Sequence, residues 1–357
     1  MFVNLDGLVK SQRHQLLEKI GCSEYRVLKG TRVSNRLMTP KSDCILHPVD
    51  FLRVHQYYFF LCFLMIKTDE ETMSINFKPR LEGKACIVTG AGMHDNLIGT
   101  GMATAVSLAR EGAKVLVADI SEENAEKTAQ QIRDEKIGHA EIYLGDATRT
   151  EDSEAMVAAS LKYFGGLDVL VNNLGWGGKS AIDNNGTRSK GISEIDEQEW
   201  TDAFDMNLNS AMLASRHAIP VMAKAGGGSI INVSSCDGMS SALTYDASYA
   251  VSKGALHMLT RSTAAWHGRQ GIRANCIAPG HLHSSFSNHF DPDLRERRKQ
   301  VVPLGTEGTP WDVAMAAVFL ASDESRWISG IIMPIDGGLF AAQPMLAHDF
   351  ITKQKTK

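Results

Sequence analysis

The sequence predicts an α/β protein in which a doubly wound, seven-stranded parallel sheet carries helices on both faces. Three observations indicate this fold class. After residue 83, seven short runs rich in apolar and β-branched residues follow one another, amphipathic stretches separate them, and no internal repeat breaks the pattern. Strands that alternate with helical segments are typical of parallel sheets, because the chain must cross over between parallel strands, usually through a covering helix.

The seven predicted strands suit the interior of one large sheet. Each is a run of three to six mostly apolar residues, and the runs are spaced so that a helix fits between most neighbours. In chain order they occupy residues 85–89, 115–118, 142–144, 169–171, 229–233, 273–278 and 331–333.

The first predicted helix follows the first strand. Met102, Ala105, Val106 and Ala109 recur at the i, i+3, i+4, i+7 spacing that places one apolar face on the sheet. Gly112 lies just beyond this pattern and is expected to end the helix.

A later helix is predicted to begin after Asp196. The carboxylate of Asp196 can cap the helix, and Glu199 can reach back to it as in a capping box. The expected apolar face carries Trp200, Ala203, Phe204 and residues 206–208.

Composition excludes some classes of function. The chain has 37 basic and 41 acidic residues among 357, a net charge of -4. With no dense basic run in the body of the chain, nothing favours a nucleic-acid partner. The six cysteines, at 22, 44, 62, 86, 236 and 276, form no C-x-x-C pair, so neither a zinc site nor a redox dithiol is predicted. Buried, inert thiols indicate a reducing compartment, and we expect a cytoplasmic protein.

The N-terminal segment differs from the rest of the chain. Residues 1–56 show no sustained periodicity and lead into ten apolar residues at 57–66, which are too few for an untilted membrane span of about 20 residues. Contact of 57–66 with a membrane surface or a partner is the alternative that its aromatic residues leave open. Because the sequence from Met73 reads as a start leading directly into a strand, we predict that residues 1–72 are disordered or lie outside the working protein. Residues 73–357 then form one domain with both the cofactor and the catalytic site.

The segment between the first strand and the first helix, T-G-A-G-M-H-D-N-L-I-G-T-G, predicts a dinucleotide site. In a parallel sheet a pyrophosphate binds at the N-terminus of this helix. Gly90 would allow the tight turn out of the strand, and Gly99 and Gly101 would let the backbone approach a phosphate. A plain surface turn is the alternative interpretation.

A carboxylate at the end of the second strand indicates which dinucleotide is bound. Asp119 follows Gly101 by 18 residues, close to the spacing at which a carboxylate binds both ribose hydroxyls. It would repel a 2′-phosphate, and no Arg or Lys follows it in residues 120–123. NAD is therefore predicted over NADP, unless Asp119 merely caps the next helix.

Two further motifs follow the glycine loop along the chain: N-N-L-G lies at 172–175, and D-G-G follows the last predicted strand at 336–338. With these motifs the chain resembles, from about residue 81 to 339, the short-chain dehydrogenase/reductase family, which implies a single-domain Rossmann fold. The family's T-G-x-x-x-G-x-G loop is present with five additional residues between its first and second glycines, and N-N-L-G stands for the family's N-N-A-G. The resemblance implies cofactor contacts from Thr89, Gly90, Gly99, Thr100, Gly101, Asp119, Asp146, Ala147, Asn173, Leu174, Gly175, Tyr249, Lys253, Pro279, Gly280 and Ser284.

A phenol and an ammonium one helical turn apart are the candidate chemical groups. Tyr249 and Lys253 share a helix face in the predicted helix between the fifth and sixth strands. A phenol with a pKa near 10 is a poor base at neutral pH, and a nearby cation lowers that pKa. Tyr25 and Lys29 have the same spacing but lie in the N-terminal segment, where no sheet surrounds them.

The resemblance also assigns partners to this pair. Ser235 would hydrogen-bond the substrate oxygen, and Asn207 would hold a water that relays protons to Lys253, which also holds the nicotinamide ribose. Ser235 precedes Tyr249 by one residue more than is usual in the family, so Ser234 and Cys236 stay open as alternatives.

These residues together predict an NAD-dependent oxidoreductase that transfers a hydride between nicotinamide and a secondary alcohol or ketone. The long segment 175–200 and the apolar candidates Trp176, Leu243, Tyr245 and Phe286 favour a bulky or cyclic substrate. An NADP-dependent ketoreductase of a biosynthetic pathway and a non-catalytic dinucleotide-binding regulator are the alternatives. An enoyl reductase of this fold would need a Lys where Leu256 stands.

Two further expectations concern metals and assembly. His281, His283 and His289 lack a supporting carboxylate, so no metal site is predicted. The family resemblance implies a homodimer or homotetramer formed through helices at 196–223 and 248–267.

Overall fold

The computed structural model describes residues 79–94, 97–178, 190–241, 246–287 and 290–344. The predicted extension 1–72, with its apolar run 57–66 and the Tyr25/Lys29 pair, lies outside the described residues. Residues Leu243, Tyr245 and His289 also lie outside them.

One seven-stranded sheet organises the described chain, as the sequence predicts. Its strand order is β3-β2-β1-β4-β5-β6-β7, and all six neighbouring pairs are parallel. The strands are β1 Ala85–Thr89, β2 Lys114–Asp119, β3 His139–Leu144, β4 Val169–Asn172, β5 Gly228–Val233, β6 Ile272–Pro279 and β7 Ile332–Ile335. The order reverses between β1 and β4, and ligands of such sheets bind in the crevice at this point.

In the described ranges, eight α-helices connect the strands and cover the sheet. They are α1 Thr100–Arg110, α2 Glu122–Asp134, α3 Thr150–Phe164, α4 Glu197–Phe204, α5 Ser210–Lys224, α6 Ala247–His267, α7 Pro292–Gln300 and α8 Pro310–Ala321. The helices divide between the two faces of the sheet, which confirms the predicted doubly wound class.

The strand residues alternate between two apolar cores. Cys86 and Val88 of β1 point to the core formed with α1, α2 and α8, whereas Ile87 between them points to the core formed with α3 and α5. This alternation follows from the two-residue period of a strand. Because both faces are covered, the central strands read as continuous apolar runs in the sequence.

The two helices that the sequence predicts in detail are present. The pattern from Met102 to Ala109 lies within α1, and these apolar residues are buried. Asp196 is the N-cap of α4, and its Oδ1 accepts the Glu199 backbone N–H at 2.7 Å. The carboxylate of Glu199 accepts two hydrogen bonds from Lys190 Nζ, at 2.6 and 2.8 Å.

The second half of that predicted helix differs from the expectation. Residues Asp205–Asn209 form a π-helical turn between α4 and α5, in which Asn207 is buried and Met206 and Leu208 are half-buried. The buried residue of this turn is the polar Asn207 and not Met206 or Leu208, so the predicted apolar face at 206–208 is wrong. The wider turn directs a polar side chain inward, which is common at functional sites.

No helix among the described residues is long and apolar enough to cross a membrane.

The difference in burial between two isoleucines predicts that shortening their side chains will change the free energy of unfolding by different amounts. Ile231 in β5 is 0% exposed and Ile120 after β2 is 74% exposed. We expect Ile231→Ala to lower the free energy of unfolding by about 2–5 kcal/mol, because a cavity remains in the core. Ile120→Ala is the matched control and should change it by less than about 0.5 kcal/mol. Urea unfolding of both variants measures the difference, and equal losses would contradict the assigned burial.

Candidate active site

The carboxyl ends of the strands converge on one cavity of about 520 Å³. Its walls come from the loops after β1, β4, β5 and β6, from α6 and α7, and from residues that follow β7. The cavity therefore lies at the switch point of the sheet, where the sequence predicts the site.

Most of the predicted site residues line this cavity. They are Gly90, Gly99, Thr100, Gly101, Asn173, Leu174, Gly175, Ser235, Tyr249, Lys253, Pro279, Gly280 and Ser284. Thr89, Asp119, Asp146, Ala147 and Asn207 do not line it. The first four end strands or follow them at the same edge of the sheet, and Asn207 lies behind the cavity wall.

The glycine loop is shaped by close backbone contacts. A Cβ at Gly101 would overlap the carbonyl oxygen of Gly90 and would approach Asn173 Nδ2 to 2.5 Å, so only glycine fits there. Asn173 fastens the loop to β4: its Nδ2 donates to Gly90 O at 3.1 Å, and its Oδ1 accepts from Thr100 Oγ1 at 2.7 Å. The backbone of Asn173 donates to Thr89 Oγ1 at 3.1 Å.

The N-terminus of α1 is suited to a phosphate. Its N-cap is Gly99, which has no side chain to accept hydrogen bonds from the first turn, and no acidic residue lies in that turn. The backbone N–H groups and the positive end of the helix dipole therefore face an anion site. A small-residue cradle and a helix terminus without a cap fit the pyrophosphate of a dinucleotide.

The described residues on either side of positions 95 and 96 in the glycine loop contact two different neighbouring segments. On one side Gly92 N donates to Asp119 Oδ2 at 2.8 Å, and Met93 N donates to Asn124 O at 3.0 Å. On the other side Ile98 O accepts from Ser285 N at 3.1 Å. The loop thus joins the end of β2 to the loop after β6. Asp95, which the sequence places at the centre of the insertion, lies outside the described residues.

The two carboxylates among the predicted cofactor contacts, Asp119 and Asp146, already accept hydrogen bonds from neighbouring residues. Besides Gly92, Asp119 accepts from Ser121 N at 3.0 Å and is buried. Asp146 Oδ1 accepts from both the N–H and the hydroxyl of Thr148, at 2.9 and 2.7 Å. Each carboxylate has further lone pairs, so these contacts fix its orientation without exhausting its acceptors.

Tyr249 and Lys253 lie on α6 as the sequence predicts. They are 5% and 2% exposed, and Lys253 Nζ lies 5.9 Å from the centroid of the tyrosine ring. Lys253 Nζ donates to Val233 O at 2.9 Å and to Leu174 O at 3.2 Å. Burial lowers the pKa of Lys253 to about 8, and an electrostatic interaction with Cys276 acts in the opposite direction.

The structure distinguishes the three candidates for the hydroxyl partner. Ser234 Oγ donates to Lys253 O at 2.8 Å, and Cys236 Sγ donates to Ala278 O at 3.4 Å, so both hold the scaffold together. Ser235 Oγ accepts from Asp237 N at 3.0 Å. Its own O–H has no acceptor among the described residues, which suits a group that donates to a ligand.

Asn207 connects three elements behind the cavity. Its Oδ1 accepts from Trp176 N at 2.7 Å, and its Nδ2 donates to Trp176 O at 2.9 Å and to Ser252 Oγ at 3.0 Å. Ser252 Oγ in turn donates to Tyr249 O at 2.9 Å. Asn207 therefore fixes the start of the loop after β4 against the helix that carries Tyr249.

The substrate side of the cavity has both apolar and charged walls. Phe286 lies 6.1 Å from the Tyr249 ring, centroid to centroid. Asp237 lines the same space, and burial raises its pKa to about 6, while the nearby Arg298 acts to lower it. Arg298, on α7, lines the cavity too, and the sequence analysis does not identify it as a candidate for substrate contact.

The two described histidines of the loop after β6 differ in burial and in their contacts. His281 Nδ1 lies 2.9 Å from Arg298 O, and burial lowers the pKa of His281. His283 is exposed. Among the described residues no group of three or more His, Cys, Asp or Glu could hold a metal ion.

Comparison with known proteins finds similarity over most of the chain. A family model described as enoyl-(acyl carrier protein) reductase matches residues 95–340. A 2,5-dichloro-2,5-cyclohexadiene-1,4-diol dehydrogenase of Sphingobium indicum is 35% identical, over 72% of this chain and 97% of that protein. A 3-oxoacyl-(acyl-carrier-protein) reductase of Thermotoga maritima is 33% identical, over 73% and 99%. A solved short-chain dehydrogenase/reductase structure from Burkholderia xenovorans has a TM-score of 0.68 at 32% identity, over 74% of this chain and 99% of that chain.

The burial of Lys253 predicts a pH-dependent contribution to stability. The folded pKa of about 8 lies below the ordinary lysine pKa of 10.5, so between these values the unfolded chain binds more protons and stability rises with pH. Relative to Lys253→Met, the wild-type protein should gain about 3 kcal/mol in free energy of unfolding across this window.

Urea unfolding at pH 7.5 and pH 10.5 measures this gain. Lys224→Met removes an exposed lysine at the end of α5 and serves as the control, for which we expect little change with pH. A difference between wild type and Lys253→Met that stays constant over the same range would show that Lys253 is not desolvated.

Proposed function

The chain belongs to the short-chain dehydrogenase/reductase family, and on that premise we propose that it transfers a hydride between NAD and a cyclic secondary alcohol or its ketone. The family assignment makes it an oxidoreductase that acts on CH–OH groups and uses NAD or NADP. One observation carries the proposal: Tyr249, Lys253 and Ser235 line the same cavity as the glycine loop.

In this proposal Tyr249 moves the proton of the substrate hydroxyl. The buried Lys253 ammonium, 5.9 Å from the tyrosine ring centroid, stabilises the phenolate electrostatically. Tyr249 can therefore act as a base at neutral pH. Ser235 donates its O–H to the substrate oxygen and orients it toward Tyr249. Nicotinamide, when bound, supplies the hydride chemistry, and the protein supplies position and charge.

We assign Asn207 a positioning role. Both N–H groups of its amide are used by Trp176 and Ser252, and its Oδ1 already accepts one hydrogen bond. A water that relays protons to Lys253 would need the remaining lone pair of Oδ1. The fixed contacts of Asn207 support a role in aligning α6 with the loop after β4.

The residues fit a dinucleotide, and we propose NAD over NADP. Gly90, Gly99 and Gly101 would receive the pyrophosphate at α1, and Asp119 would accept from the adenosine ribose. The buried Asp119 carboxylate is held in place by Gly92 and Ser121. A carboxylate fixed at the end of β2 disfavours a 2′-phosphate by repulsion. Asp146 and Ala147 complete the adenosine side in this proposal.

The proposed substrate class rests on the cavity walls and on one relative. Leu174, Tyr249 and Phe286 give the cavity apolar surface, and the diol dehydrogenase that resembles this chain is named for a cyclic substrate. The Thermotoga relative supports a second candidate, a ketoreductase that reduces 3-oxoacyl groups. Buried Leu256 stands where an enoyl reductase would carry its lysine, which argues against that activity.

Three further proposals concern the whole protein. A homodimer or homotetramer through residues 196–223 and 248–267 is supported by exposed apolar side chains on α6, namely Val251, Met258 and Trp266. A cytoplasmic location agrees with the free, buried Cys86, Cys236 and Cys276. A working domain that begins at residue 73 agrees with relatives that are matched almost entirely by 72–73% of this chain.

The role of Tyr249 is tested by removing one oxygen atom. We expect Tyr249→Phe to lower kcat for oxidation of cyclic alcohols by at least about 100-fold, because the proton has no other carrier. The dissociation constant for NAD should change by less than roughly threefold. Steady-state kinetics and fluorescence titration measure the two quantities. Tyr163→Phe, on the exposed face of α3, is the matched control, and activity of Tyr249→Phe within tenfold of wild type would refute the role.

The cofactor preference is tested at the end of β2. Asp119→Ser combined with Ile120→Arg replaces a repelling carboxylate with a cation that can bind a 2′-phosphate. We expect the ratio of kcat/KM for NAD to that for NADP to fall by at least about tenfold. Glu122→Ser is the control for loss of a nearby exposed carboxylate. Since loss of the Gly92 contact would weaken both dinucleotides alike, only a change in the ratio supports the assignment.

A further inference from the structure

One arginine of α7 differs from its neighbours. This helix is strongly polar, and Arg295 forms an ion pair with Glu307 at 2.7 Å, while Arg297 is exposed. Arg298 is only 7% exposed, and it lines the cavity that holds Tyr249 and Ser235. A buried guanidinium in the substrate space requires a partner, because desolvation of an unpaired charge is costly.

The described residues do not supply that partner. The Arg298 guanidinium carbon lies 4.6 Å from the ring centroid of Phe290, and its carbonyl oxygen lies 2.9 Å from His281 Nδ1. The buried Nε and Nη1 have no hydrogen-bond acceptor, and no described carboxylate forms an ion pair with the guanidinium. Stacking on an aromatic ring orients the fork of N–H groups but does not satisfy them.

Asp237 is a charged neighbour of Arg298 in the cavity. The two side chains interact electrostatically and both line the cavity, but they form no ion pair within 4.0 Å. Asp237 follows Ser235 by two residues, and its N–H donates to Ser235 Oγ. Asp237 therefore lies next to Ser235, at the end of the cavity where the proposed reaction takes place.

We propose that Arg298 binds a carboxylate carried by the alcohol substrate, at a position of the substrate remote from the reacting hydroxyl. A carboxylate accepts two hydrogen bonds from a guanidinium in a planar arrangement, which would satisfy the N–H groups that the protein leaves unpaired. This inference rests on the proposed alcohol oxidation at Tyr249. It narrows the substrate class to hydroxy acids in which a ring or chain separates the two groups.

The charge of Asp237 should affect carboxylate binding in the opposite direction to that of Arg298. Its negative charge repels a substrate carboxylate, and the binding of one would favour its protonated form. Removing the charge by Asp237→Asn should therefore strengthen carboxylate binding, whereas Arg298→Gln should weaken it. A purely structural Arg298 would give no such pair of opposite effects.

Binding to the NAD-saturated protein tests the inference without requiring turnover. Calorimetric titration compares cyclohexanecarboxylate with cyclohexanecarboxamide, which has the same shape and no charge. We expect Arg298→Gln to weaken the carboxylate relative to the carboxamide by roughly 10- to 100-fold. Arg298→Lys should lose part of this preference, and Asp237→Asn should increase it. Arg297→Gln, on the exposed side of the same helix, is the matched control.

Kinetics separate this inference from the proposed function. A hydroxycyclohexanecarboxylate and its carboxamide are each offered with NAD to the wild-type protein. Turnover of both at equal kcat/KM, with no preference in binding, would overturn the inference and leave the oxidoreductase proposal intact. Preference for the carboxylate in binding, without turnover of either compound, would support the anion site and count against the substrate assignment.

Circular dichroism of Arg298→Gln shows whether the variant folds. If it does not, Asp237→Asn decides the question, since it leaves Arg298 in place: unchanged or weaker carboxylate binding in Asp237→Asn would overturn the proposal.

Discussion

The arrangement of the site depends on one buried ammonium. Lys253 projects from α6 and donates to the carbonyl oxygens of Leu174 and Val233, which follow or end the neighbouring strands β4 and β5. A desolvated charge is tolerated only with such partners, so the lysine ties the helix to both strands. The same contact sets the distance from the ammonium to Tyr249. The side chain that the proposed reaction uses therefore also holds α6 against the sheet. The lowered pKa of Lys253 reflects the cost of burying its charge there.

Around this contact, small residues let backbone segments approach one another. Gly101 lies against the carbonyl of Gly90 where the glycine loop turns into α1, and a Cβ at Gly238 would lie 2.7 Å from the carbonyl carbon of Lys253. The second approach brings the turn after Ser235 directly onto α6. Larger residues would push the hydroxyl away from the phenol, because a packed core does not deform freely. Close packing of the backbone thus fixes the geometry that the side chains use.

The sequence predicts those parts of the molecule that depend on local patterns. Patterns of a few neighbouring residues are enough to predict the strands, helix α1 and the Asp196 cap. The ordered motifs locate Tyr249 and the glycine loop. The π turn at Asp205–Asn209 is not predictable in this way, because its inward amide is held by Trp176, which lies 31 positions away in sequence. The burial of Arg298 could not be predicted from the sequence for the same reason. Its helix reads as a solvated polar segment, and only packing against Phe290 and His281 distinguishes it from Arg297.

The insertion in the glycine loop shows how a departure from a motif can be accommodated. Lengthening a loop costs little conformational entropy, on the order of 0.6 kcal/mol for each doubling of its length, provided that its backbone groups find partners. Here Gly92 reaches Asp119, Ala91 O accepts from Thr128 Oγ1 at 2.8 Å, and Ile98 O accepts from Ser285 N. The contacts lie at both ends of the insertion, so the glycines beside them keep their positions against β1 and α1. One end of the insertion, at Gly92, contacts the Asp119 carboxylate after β2, and the other end, at Ile98, contacts the loop that carries Phe286, so the two ends are fixed by different parts of the scaffold.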